Sequence, residues 1–100
     1  MCEFKIVKKN DGSQISEEIV ILNYSDNNEL LFHDILGMTA KIDSGLIVEV
    51  DTLNQRTVIF EHPIISNFIG LMKNIAEGKT SLNKEIELIQ SQLEVLKQQL

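Results

Sequence analysis

The stretch RTVIFEHPIISNFIGLMKNIAEG, residues 56–78, contains the change of period on which the fold reading turns. From Arg56 to Glu61 apolar side chains alternate, with Val58 and Phe60 opposite Ile59, the pattern of a β-strand. From Pro63 onward Ile64, Ile65, Phe68, Ile69, Leu71, Met72 and Ile75 recur at helical spacing, and Gly78 offers a stop. The chain therefore divides into a strand-patterned segment, residues 1–62, and a helical segment, residues 63–100.

Upstream, the period of two continues. Cys2, Phe4 and Ile6 share one face of a first strand, and Asn10-Asp11-Gly12-Ser13 supplies a turn, since Asp-Gly tolerates positive φ. Ile15 to Tyr24 carries apolar residues on both faces, which predicts a strand buried on two sides. Ser25 to Asn28 turns the chain. Leu30 to Ile35 is a third strand ended by Gly37, and Met38 to Val50 a fourth, interrupted by a bulge or tight bend around Asp43-Ser44-Gly45. With Arg56 to Glu61 this makes five short strands, the size of a compact antiparallel barrel of SH3-like or Sm-like form. Such a barrel hosts many functions and implies none by itself.

Downstream, Ser81 is the expected N-cap of a second helix running to the chain end. Its Leu82, Ile86, Ile89, Leu93, Leu96 and Leu100 alternate in steps of four and three, the a and d positions of a coiled-coil seam. The pattern predicts association between subunits; a helix folded back on its own hairpin or barrel is the alternative.

Composition limits the functions open to the chain. At 100 residues there is room for one small core, and with 43% apolar and 24% charged residues it folds rather than staying disordered. The longest apolar runs fall far short of the roughly 20 residues of a membrane span, and no secretory h-region follows Met1, so a cytoplasmic protein is expected. Residues 1–62 carry 5 Lys or Arg against 11 Asp or Glu, whereas residues 63–100 carry 4 of each. A nucleic-acid partner needs a basic stripe to displace counterions from phosphate, and neither segment has one. The carboxylates are dispersed, and neither a glycine-rich phosphate loop nor a nucleophile elbow is present, which points away from an enzyme. His33 and His62 have no partner at ligand spacing and read as ordinary barrel or boundary residues.

Several stretches together resemble one family. Met1-Cys2-Glu3-Phe4, Glu18 to Leu22, Phe32-His33-Asp34-Ile35-Leu36-Gly37 and Gly45 to Asn54 are similar, in order and spacing, to the CooT-type nickel-binding proteins. These are very short acidic chains that begin Met-Cys and carry a Leu-x-Asp-Leu-x-Gly step. Here Phe32 and Ile35 replace the leucines and keep their apolar character. The resemblance spans roughly residues 1–60 and leaves the helical tail unexplained. It implies a homodimeric β-barrel that binds Ni(II) through Cys2 and serves maturation of a nickel enzyme, carbon monoxide dehydrogenase in the founding case.

Chemistry is compatible with that implication. Cys2 is the only cysteine, so no disulfide can form within the chain. Removal of Met1 would leave a thiol and an α-amine that close a five-membered chelate ring. Two such termini on a twofold axis offer two nitrogens and two sulfurs in a plane, which Ni(II) accepts. The competing readings are an RNA-binding small barrel and an assembly adaptor that works through the helical tail.

Overall fold

The computed structural model describes residues 3–100. The elements are β1 (Phe4–Lys8), β2 (Gln14–Tyr24), β3 (Leu30–Asp34), β4 (Thr39–Ile42), β5 (Gly45–Asp51), β6 (Arg56–Glu61), α1 (Pro63–Ala76) and α2 (Asn83–Gln99). The strand order is β4-β3-β2-β1-β6-β5. The change of period at Pro63 is thus the change from sheet to helix.

Two features correct the expected five-stranded antiparallel barrel. First, the described residues form six strands, because at Asp43-Ser44 the chain takes the tight bend of the two alternatives, and that bend separates β4 from β5 and makes two strands of the expected fourth. Second, β1 and β6 pair in parallel, from Lys5 opposite Arg56 to Lys8 opposite Ile59, whereas every other pair is antiparallel. The sheet is mixed and does not close, since β4 and β5 are its two edges and share no ladder. They are joined by only two residues, so the sheet must curl until the edges approach. Alternation along a strand reports its faces and not its partner, which is why direction and closure were invisible in the pattern.

The two-sided burial expected of β2 is also corrected. Its pairing shifts register at Ile19/Ile21 against β3 and twice against β1, and Glu18 sits at φ 57°. A bulge inserts one residue and reverses the facing of everything beyond it. Ile19 therefore points inward, Leu22 and Tyr24 resume the inward face after the bulge, and Val20 and Ile21 are left exposed.

Ile6, Ile19, Leu30, Phe32, Ile42 and Ile59 form the core between the curled faces, with Leu22, Tyr24 and Ile47 packed on it. Gly45 sits where the edges meet. A Cβ there would lie 3.0 Å from Leu30 Cδ2 and 3.2 Å from Ile42 Cγ2. The Tyr24 hydroxyl donates to the Gly45 carbonyl at 2.8 Å, tying β2 to the start of β5 across the fold.

At the start of α1, His62 is the N-cap and its Nδ1 accepts from the Ile64 amide at 3.2 Å, with Pro63 behind it. Ser44 adds a cap from outside the helix. Its hydroxyl accepts from the Ser66 amide at 2.8 Å and donates to the His62 carbonyl, and its own carbonyl accepts from the His62 amide at 3.1 Å. The β4–β5 turn is thereby pinned to the helix. Gly78, at φ 81°, follows the C-cap Glu77 and lets the chain reverse.

The expected cap of α2 is displaced by one residue. Leu82 and not Ser81 occupies the N-cap, with no side-chain hydrogen bond. Leu82 is buried with Leu71 and Ile89, and Ile64 packs on the same cluster, so apolar packing sets the start of this helix. Two of the six predicted seam residues, Leu82 and Ile89, therefore lie against α1 within the chain.

Candidate functional site

Cys2, the predicted metal ligand, lies outside the described residues, so the site is built from what surrounds the start of β1. Phe4 pairs with Ile19 of β2, and the Lys5 amide donates to the Gln55 carbonyl at 3.0 Å. The N-terminal segment thus joins the sheet between the bulge of β2 and the β5–β6 turn. Phe4 borders two concavities there. One, of about 280 Å³, is largely apolar and lined by Phe4, Ile19 to Leu22, Ile47, Val50 and Thr57. The other, of about 250 Å³, is rimmed by Glu3, Glu17 and Glu18 with Lys5, Gln14, Asn54 and Gln55.

Around the apolar hollow Val20, Ile21 and Val50 are 39%, 53% and 55% exposed. Side chains of this kind stabilise a fold only when covered, so this end of the sheet has apolar surface to offer a partner.

The two histidines are not brought together. His33 is on β3 and its Nδ1 lies 3.0 Å from the Thr39 hydroxyl on β4. His62 is occupied as the cap of α1 and its ring stacks on Phe60, centroids 6.3 Å apart. In the sheet β3 and β6 are separated by β2 and β1. Among the described residues, no group of three or more His, Cys, Asp or Glu side chains could hold a metal ion.

The step Phe32 to Gly37 is a turn device. Phe32 is in the core, and one Asp34 carboxylate oxygen accepts from the Leu36 and Met38 amides, each at 2.9 Å. Gly37 takes φ 85°. Apolar, acid and glycine are each required here by the β3–β4 hairpin, and Leu36 and Met38 are left 82% and 68% exposed at its tip. The stretch ending at Asn54 is built alike. Asp51 accepts from the Asn54 amide at 3.0 Å and from its side chain at 2.8 Å, contacts that hold the Asp51 carboxyl below its ordinary value.

A family model described as CO dehydrogenase accessory protein CooT matches residues 1–60. The chain belongs to the CooT family. No curated protein matches it. The CooT match ends at the last strand, so it covers Cys2 and the whole sheet except Glu61, and leaves α1 and α2 outside. Membership implies an accessory role toward carbon monoxide dehydrogenase, a nickel enzyme. No helix among the described residues is long and apolar enough to cross a membrane.

The turn acids were legible in the sequence as motif residues, but their work was not. Ser44 was missed altogether. A lone serine between two strands gives no sign that its hydroxyl will cap a helix starting 19 residues later.

Proposed function

We propose that this CooT-family chain carries Ni(II) as cargo, bound by the Cys2 thiolates of two chains that meet on a twofold axis, for delivery to a nickel enzyme of the carbon monoxide dehydrogenase kind. The observation that carries the reading is the family match, which includes Cys2. Two further points support it. One thiolate per chain cannot complete a four-coordinate site, and no cluster of ligands elsewhere among the described residues competes with it. The exposed Val20, Ile21 and Val50 lie at the end of the sheet where the N-terminal segment joins, so apolar contact between two chains would draw their Cys2 residues toward each other.

The ligand must be the thiolate, so acid weakens binding by protonating it. Nickel titration, followed by the sulfur-to-metal charge-transfer band, tests the proposal. The expected result is saturation at about half an ion per chain, with the band lost in Cys2→Ser. One full ion per chain, or tight binding that survives Cys2→Ser, refutes it.

A further inference from the structure

The helical tail lies beyond the family match and has its own unpaired surface. On α1, Leu71 faces α2. With 3.6 residues per turn, Phe68, Met72 and Ile75 lie about 40–100° to one side of Leu71, and Asn67 and Asn74 about 40–60° to the other. On α2, Ile89 faces α1, with Ile86 and Leu93 about 40–60° to one side and Gln92 and Glu85 about 40–60° to the other. The Asn67 side chain donates to Gln92 Oε1 at 3.1 Å, so the two polar flanks meet on one side of the hairpin. The two apolar flanks must then meet on the opposite side.

That side is open. Phe68, Met72, Ile75, Ile86 and Leu93 are 50%, 41%, 51%, 41% and 49% exposed. Each helix thus carries one apolar line used by its neighbour in the hairpin and a second line, on a common flank, that nothing covers; on α2 Leu88 and Val95 are also exposed, but about 100–120° round on the other side, where α1 presents Asn67 and Asn74. This is half of a four-helix bundle, in which every helix packs against two others.

We infer that the tail hairpins of two copies of this chain pair through this flank into a four-helix bundle. The area fits a second copy as the occupant, and charge does not oppose it. With side chains of roughly 150–200 Å² at about half exposure, the five residues present on the order of 400 Å² per chain. Two chains then bury on the order of 800 Å² of apolar surface, which matches the apolar share of a standard interface of about 1,200–2,000 Å². Residues 63–100 carry 4 basic and 4 acidic side chains, so two tails approach without net repulsion, whereas residues 1–62 carry an excess of acid. The five residues are uncharged, and Ile86 and Leu93 are one heptad apart, the repeat that interlocking helices need.

The test separates this contact from any association through the sheet and from nickel. Met72 is in the flank, while Met38 is at the far β3–β4 turn and serves as an internal reference. The full-length chain is treated with dilute peroxide over a range of concentrations, and sulfoxide at each methionine is read by peptide mass spectrometry alongside sedimentation equilibrium. The expected result is that Met72 reacts more slowly than Met38 in the associated protein, by more than its 41% against 68% exposure in the single chain accounts for. It should become reactive on dilution and in Leu93→Glu, with helical circular dichroism unchanged. If Leu93→Glu loses helix, Leu93→Gln makes the same comparison without the buried charge. Equal reactivity of Met72 and Met38 at concentrations where the chain is associated overturns the inference. So does protection of Met72 that arises only when another protein is added. Repeating the experiment in Cys2→Ser separates the two readings, because the proposed metal site is then absent and the bundle should persist.

Discussion

Replacing Ser44 by alanine tests whether the tail is fastened to the sheet by one hydroxyl. Ser44 is 8% exposed, and its side chain bridges the Ser66 amide and the His62 carbonyl at the first turn of α1. Alanine removes both hydrogen bonds and leaves a donor and an acceptor without that partner. Loss of a cap costs about 0.5–2 kcal/mol, and an unsatisfied, partly buried polar group about 1–3 kcal/mol. The helix can recover part of this by closing its own bond from the Ser66 amide to the His62 carbonyl, so about 2 kcal/mol is expected. For a chain of this size that lowers Tm by roughly 8–16 °C. Thermal and urea unfolding followed by far-UV circular dichroism give the value, and Ser44→Thr should retain much of the stability because the hydroxyl is kept. A loss under about 0.5 kcal/mol for Ser44→Ala would show that the helix caps itself and that the β4–β5 turn does not position it.

Two further outcomes follow from the point where the sheet edges meet. Gly45→Ala places a methyl 3.0 Å from Leu30 Cδ2, a fully buried side chain, and should cost about 1–3 kcal/mol in urea unfolding; a neutral result would mean that Leu30 gives way freely. Burial, opposed by the Ile47 backbone, raises the Tyr24 pKa above the ordinary 10.0, so the unfolded chain releases that proton first. Its contribution is complete below about pH 10 and is lost as pH rises through the folded value. The raised Lys8 and Lys41, paired with Glu61 and Glu29, act with the same sign. Tyr24 is the only tyrosine, so phenolate absorbance reports it alone, and Tyr24→Phe should remove its share of the alkaline loss. Titration at the free-tyrosine value would contradict the buried hydrogen bond to Gly45.

The sequence by itself determined where the sheet ends and the first helix begins. Alternation against Arg56 to Glu61 and helical spacing after Pro63 are local properties, as are the turns at Asp11-Gly12 and Gly37, where positive φ selects glycine. Cys2 and the turn residues Asp34, Gly37, Asp51 and Asn54 were likewise readable, since they lie in stretches that resemble the CooT family, whose model matches residues 1–60. Only the tertiary structure decided the partners. The parallel pairing of β1 with β6 joins residues about fifty positions apart, and no local period records it. The bulge between Ile19 and Ile21 reversed the facing of β2, and a register slip of one residue leaves composition unchanged. In α2 the heptad positions were plain, yet their division was not. Leu82 and Ile89 went to α1 because the Gly78 reversal brought the helices side by side, while Ile86 and Leu93, from the same repeat, were left facing outward. A seam in the sequence states that a helix needs company, and the fold determines how much of that company the chain itself provides.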